Sequence, residues 1–291
     1  MTYRIVNVGC VTGGEAFLII TEGRTAVIDS GFSFTAKGTV SRMKAELAGR
    51  PLDYIILTHS HYDHISGASL MKRTWPDAKI LSAEHAAKVF EKKSAMKAIR
   101  RMNRGAASYF KKSQFFRNDL SRIHTDVVVR DGDIIDLGPM KLQVMDACGH
   151  TRDSLGFWCE SERLAITCET MGVLCGGDRI MPACLVSYES TMDYIDRVER
   201  LHPRTILHPH YGLIEGEEEC STVISWAKRD NREARDTIVD AHRKGMDVEA
   251  IKQLVKDTYY TEAVRSGQPE TAFDLNNRYM VPMIIKECGD S

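Results

Sequence analysis

The chain has 291 residues, 43 % hydrophobic and 27 % charged, with 39 basic side chains against 40 acidic ones and a net charge of −1. This composition excludes a disordered or collagen-like chain, and the length allows one large α/β domain, or a domain with an appendage, that buries roughly three quarters of its unfolded surface. No apolar run reaches the roughly 20 residues a bilayer requires, and MTYRIVNVGC lacks the basic start and apolar stretch of a signal peptide, so a cytoplasmic protein without a membrane partner is expected.

Short β-rich runs at Tyr3 to Val8, Ala16 to Ile20 and Thr25 to Asp29, separated by Gly13-Gly14 and Glu22-Gly23-Arg24, predict a β-meander. A helix follows over Ala36 to Leu47, closed by Gly49 and Pro51. The continuous apolar run Tyr54-Ile55-Ile56-Leu57 reads as a strand buried on both faces. Next come a helix over Ile65 to Arg73 and a strand over Lys79 to Ser82, then a mostly helical stretch from about 83 to 122, broken near Gly105. That stretch carries eleven Lys and Arg against three acids, a charge of +8 that leaves −9 for the rest of the chain. Val89, Met96, Ile99, Ala106 and Phe110 mark one apolar stripe along it, with the basic groups turned outward.

From Val127 to Thr167 a second meander is predicted, followed by a loop rich in Gly, Cys and Met from Met171 to Ser187. A helix over Thr191 to Leu201 and a strand over Thr205 to Leu207 come next, and the pattern beyond Glu215 is helical, with Glu217-Glu218-Glu219 at a helix start where negative charge is favoured. Eight cysteines occur without a CxxC pair, which argues against a disulfide framework or a structural zinc knuckle.

The densest chemistry lies in Thr58 to His64, THSHYDH, where His59, His61, Asp63 and His64 directly follow the buried strand. Imidazole and carboxylate suit zinc, iron or manganese, and His59 and His61, two residues apart, can share a face while Asp63 and His64 serve a second ion. A polar turn of solvent-facing histidines is the plain alternative. It would place four titratable groups side by side at a cost in free energy.

HxHxDH after YIILT resembles the signature of the metallo-β-lactamase superfamily. Cys148 to Ser154 resembles that family's GHTxxS turn, which makes His150 the implied third histidine of the first metal with His59 and His61. Leu164 to Thr170 resembles the strand ending in a bridging acid and presents Glu169 where Asp is usual; the adjacent Cys168 is weighed as a thiolate ligand and set aside as a buried thiol. His210 in Leu207-His208-Pro209-His210-Tyr211-Gly212 is the implied last ligand beside Asp63 and His64, with His208 the alternative in register. Asp29-Ser30-Gly31 resembles the DxG turn whose aspartate supports the metal loop. His85, His124, His202 and His242 are expected at the surface or in satisfied pockets.

The resemblance covers residues 1–215, with the basic helical insertion at about 83–122, and leaves 216–291 as a C-terminal helical extension. It implies an αββα sandwich of two mixed β-sheets flanked by helices. It also implies two divalent metal ions, zinc first with iron or manganese as alternatives, in the thioesterase and glyoxalase II-like branch. Two ions about 3.5–4 Å apart would bring the pKa of a shared water toward about 7, so hydrolysis of an ester, thioester or phosphodiester follows, with Asp63 both ligand and catalytic orienter. The +8 stretch points to an anionic small-molecule substrate; nucleic acid is disfavoured because aromatic interleaving is missing. The competing reading is a metal-containing regulatory or interaction protein with vestigial hydrolase activity.

Overall fold

The computed structural model describes residues 3–112 and 116–289, and the chain divides into two compact units, residues 3–145 with 159–161 and residues 146–158 with 162–289.

The first unit is built on β1 (Tyr3–Asn7), β2 (Phe17–Thr21), β3 (Thr25–Ile28), β4 (Tyr54–Ile56), β5 (Lys79–Ser82) and β6 (Val127–Val128), which hydrogen-bond in that order. The first two pairings are antiparallel and the last three parallel, so the sheet is mixed. The central position of β4 accords with its unbroken apolar text: it has parallel neighbours on both edges, and Ile55, Ile56 and Leu57 have 0 % exposure. Val127, expected in the second meander, instead closes this first sheet as an edge strand. A hairpin of β7 (Ile134–Asp136) and β8 (Lys141–Asp146) follows.

Helix α1 (Ala36–Leu47) has the predicted bounds, buries Val40, Met43 and Leu47, and ends where Ala48 turns left-handed. The single helix expected over Ile65 to Arg73 is two, α2 (Tyr62–Ile65) and α3 (Ala68–Thr74). Gly67 lies between them, where a Cβ would sit 2.1 Å from the Ser30 carbonyl oxygen. The basic stretch forms α4 (Glu84–Glu91) and α5 (Lys93–Tyr109). The break falls at Lys92, whose extended backbone separates the two helices, and not near Gly105, which lies inside α5 despite glycine's low helix propensity. Residues 113–115 of that stretch lie outside the described residues. The predicted stripe packs on the core through Met96, Ile99 and Ala106, with Val89 and Phe110 partly buried against it.

The second unit carries β9 (Leu155–Cys159), β10 (Leu164–Ile166), β13 (Thr205–His208) and β14 (Gly212–Glu215), ordered β14-β13-β10-β9, with β10 parallel and β14 antiparallel to β13. Between β10 and β13 run a small hairpin, β11 (Val173–Leu174) with β12 (Ile180–Met181), and α6 (Tyr188–Arg200). The hairpin and β14 were not foreseen; two- and four-residue strands beside glycines leave too short a pattern to read. Helix α6 starts at Tyr188 because Ser187 Oγ caps it, accepting the Ser190 N–H at 3.1 Å. Four helices complete the unit: α7 (Glu217–Arg243), α8 (Val248–Tyr259), α9 (Glu262–Gly267) and α10 (Glu270–Cys288). Glu217, Glu218 and Glu219 occupy the first turn of α7 as expected. All eight cysteines are free thiols.

Candidate metal centre

In the first unit the ligand-bearing segment leaves the C-terminal end of β4 and turns at once into α2, with His61 as the extended residue before the helix. Ring centroids of His59 and His61 lie 4.7 Å apart, and those of His59 and His64 4.1 Å apart. Asp63 Oδ2 stands 3.7 Å from His64 Nε2. His59 and His64 are buried, whereas His61 and Asp63 are half-buried.

Asp29 organises this segment. Its φ of 59° is left-handed, a conformation that costs a non-glycine residue about 1–2 kcal/mol. In that conformation its carboxylate accepts the Thr58 N–H at 2.8 Å and the Thr58 hydroxyl at 2.9 Å, and contacts His64 Nδ1 at 2.8 Å. With its hydrogen given to Asp29, Thr58 Oγ1 receives a hydrogen bond from His59 Nδ1 at 3.1 Å. These contacts fix both imidazoles as Nδ1–H tautomers and leave Nε2 as the donor atom toward a metal.

The second unit presents His150, Glu169 and His210 together. Glu169, 5 % exposed, sets Oε2 3.0 Å from His150 Nε2 and Oε1 2.8 Å from His210 Nε2. Two ligands of one tetrahedral ion with bonds of about 2.0–2.1 Å stand roughly 3.3 Å apart, so a carboxylate in contact with two Nε2 atoms is well suited to bridging two ions. The His150 Nδ1–H donates to the Ala183 carbonyl at 2.7 Å, which again makes Nε2 the ring nitrogen suited to a metal. The Leu185 and Val186 N–H groups donate to the Gly149 carbonyl at 3.0 and 2.8 Å, so segment 183–186 clasps the turn that carries His150. Only glycine fits at 149, where a Cβ would lie 2.5 Å from Thr191 Oγ1 and 2.6 Å from Thr170 Cγ2.

His210, with a φ of 60°, makes the contact to Glu169. The register alternative, His208, is fully buried, donates Nδ1–H to the Pro209 carbonyl at 2.8 Å, and is pushed down to about 4 chiefly by burial, so it is neutral. Cys168 lies against the Tyr194 hydroxyl instead. Burial holds Cys148 above the ordinary thiol range and pushes Cys175 up to about 11, so neither is a thiolate at neutral pH. His124, His202 and His242 are exposed and His85 half-buried. Beside His210, Tyr211 lines a cavity of about 360 Å³ with Leu174, Ile214, Glu218 and Trp226. Sequence reasoning missed Thr58 and Ala183 as supports of the imidazoles. Thr58 was readable from its place between Asp29 and the motif, but a backbone carbonyl such as that of Ala183 leaves no mark on residue type.

These observations define a chain with a His/Asp/Glu metal site on a mixed-sheet scaffold. The model of the metallo-beta-lactamase superfamily matches residues 11–210, and the chain belongs to that superfamily. Its fold class is that of the superfamily, mixed β-sheets flanked by helices, with further helices at the C-terminus. Among curated relatives, hydroxyacylglutathione hydrolase of Roseobacter denitrificans is 28 % identical over 180 residues, 60 % of this chain and 55 % of the relative. The enzyme of the same name from Ruegeria pomeroyi is 25 % identical over the same shares. The chain thus spans about half the length of the curated relatives it matches. Among solved structures, a metallo-beta-lactamase family protein from Thermus thermophilus superposes with a TM-score of 0.65 at 14 % identity, covering 96 % of this chain and 93 % of that one. A beta-lactamase domain protein from Burkholderia ambifaria gives a TM-score of 0.68 at 14 % identity, covering 97 % of this chain and 84 % of that one. No described helix is long and apolar enough to cross a membrane.

Proposed function

We propose that this chain is a metal-dependent hydrolase acting on an ester, thioester or phosphodiester of an anionic small molecule. The observation that carries the reading is the Glu169 carboxylate, which places one oxygen on His150 Nε2 and the other on His210 Nε2. In the proposed centre His59, His61 and His150 would hold one divalent ion and Asp63, His64 and His210 a second, with Glu169 shared by both; the residue types suit such ions. Zinc fits the nitrogen-rich set best, with iron and manganese next. Bound there, the ions would lower the pKa of a water toward neutrality and polarise the scissile carbonyl or phosphoryl group.

The chain's own residues then do the following. Asp63 orients the attacking water through its carboxylate. Asp29 and the Ala183 carbonyl hold their imidazoles in the ligating tautomer. Leu174, Ile214, Val223 and Trp226, from the cavity that Tyr211 also lines, offer an apolar wall for an acyl portion.

Support for an anionic substrate comes from α4, α5 and the residues after them. Lys92, Lys93, Lys97, Arg101, Arg104, Lys111 and Lys112 are exposed, and such a surface attracts phosphate or carboxylate groups. The relatives named hydroxyacylglutathione hydrolase support the hydrolase reading, and a glutathione thioester is itself anionic.

The test is a panel of acyl-glutathione and acyl-coenzyme A thioesters, phosphodiesters and lactones, assayed with zinc-, iron- and manganese-loaded protein. Turnover of at least one anionic class is expected, with KM rising several-fold between low and high salt as surface charge is screened. Loaded protein that turns over none of them contradicts the proposal.

A further inference from the structure

Helix α5 carries one residue out of keeping with its buried face. Where Met96, Ile99 and Ala106 are apolar, Asn103 is polar and has 0 % exposure. A leucine of the same branched shape would suit both helix and core better, because a desolvated amide is tolerated only when its hydrogen bonds are made. Asn103 makes all of them. Its amide nitrogen donates to Ser66 Oγ at 2.7 Å and to the Ile99 carbonyl at 3.1 Å, and its Oδ1 accepts from the Ser33 N–H at 3.0 Å and lies 2.9 Å from Ser33 Oγ.

The partners of Asn103 belong to the two loops that build the first group of ligands. Ser33 lies four residues after Asp29, and Ser66 two residues after His64. These loops also bind each other directly. The Ser30 N–H and hydroxyl donate to the His64 carbonyl at 2.7 and 2.8 Å, and the Gly67 N–H donates to the Gly31 carbonyl at 3.0 Å. Asn118 strengthens the same junction, accepting from Ser33 Oγ at 3.0 Å and donating to the Arg100 carbonyl at 2.8 Å.

We propose that Asn103 is a positioning residue for the metal centre: it clamps the Asp29 loop to the His64 loop so that the Asp29–His64 contact holds Nε2 of His64 in its ligating direction. The basic helix is thereby part of the frame of the centre and not a detachable surface layer. This inference rests on the metal-centre reading above.

The test compares wild type with Asn103→Leu, with Ser66→Ala, which removes a single arm of the bridge, and with Ile99→Ala, which weakens packing of the same helix without touching it. Two quantities are read: hydrogen exchange of the His64 Nδ1–H by NMR in metal-free, 15N-histidine-labelled protein, and the zinc dissociation constant by competition with a chelator. Asn103→Leu is expected to speed exchange and weaken zinc binding about tenfold each, the usual scale for groups that orient a ligand, and Ser66→Ala to move both in the same direction by less. Ile99→Ala lowers Tm but leaves both within twofold. Exchange and affinity unchanged in both bridge variants, or shifted equally by Ile99→Ala, would overturn the assignment. Wild-type protein that binds no zinc defeats the metal reading instead, and the exchange measured without metal still decides whether Asn103 holds the His64 contact.

Discussion

At the scale of single residues the candidate centre depends on where hydrogen bonds leave lone pairs. His59, His64 and His150 each commit Nδ1, to Thr58, Asp29 and the Ala183 carbonyl, so that Nε2 is the nitrogen that would bind a metal. Glu169 stands where the family's usual residue is one methylene shorter, and its length is used: Oε1 and Oε2 reach two different histidines. Glu169→Asp should therefore retain one of these contacts and lose the other, lowering the amount of metal bound per chain while leaving Tm of the metal-free protein nearly unchanged. Titration of metal into both proteins, followed by calorimetry, checks this; equal metal content would show that the longer side chain is incidental. These candidate ligands stand out in the sequence because imidazoles and carboxylates crowd into THSHYDH and stand beside the turn motifs. Asn103 was not legible, since one asparagine in a helix carries no signal until its partners are known.

At the scale of elements, sequence periodicity located α1 and β5 to the residue and the course of β4 within one, because continuous or helically spaced apolar text leaves few alternatives. It failed where a tertiary contact sets the boundary. The split between α2 and α3 answers to the close approach of Gly67 to Ser30, and β6 pairs with β5 through only two residues. The strap between α5 and β6 is fastened by ion pairs. Asp119 is held well below the usual carboxylate range by the Ser121 hydroxyl and N–H and by the Arg73 guanidinium, against an opposing effect of burial. Asp126 is also lowered: burial acts to raise it, but the Ile80 N–H, Lys72 and His124 together outweigh burial. A carboxylate depressed in the folded state stabilises above its unfolded pKa, near about 3.9, and that stability is lost as pH falls through the lower folded value. Unfolding free energy should thus decline below about pH 4 with a slope that Asp119→Asn reduces; denaturant titrations between pH 2 and 7 measure it, and an unchanged slope would contradict the assignment.

At the scale of the whole molecule, a net charge of −1 hides a division between the +8 stretch from 83 to 122 and −9 elsewhere. That asymmetry was readable by counting, and ten of the eleven basic residues are exposed. The fold class was likewise readable, though from the motifs and not from the order of strands and helices, which would permit other α/β arrangements; residues 11–210 match the superfamily's model. The loop before α6 was harder to read, since what it gives His150 is the backbone carbonyl of Ala183, which residue type does not mark. The central claim is that side chains far apart in the sequence together hold divalent metal. The most direct test is elemental analysis of zinc-loaded, desalted protein for wild type, His61→Ala and His150→Ala. The account predicts two metal equivalents per chain in the wild type and at least one fewer in each variant; wild type that retains no metal, or variants that retain as much as it does, would contradict it.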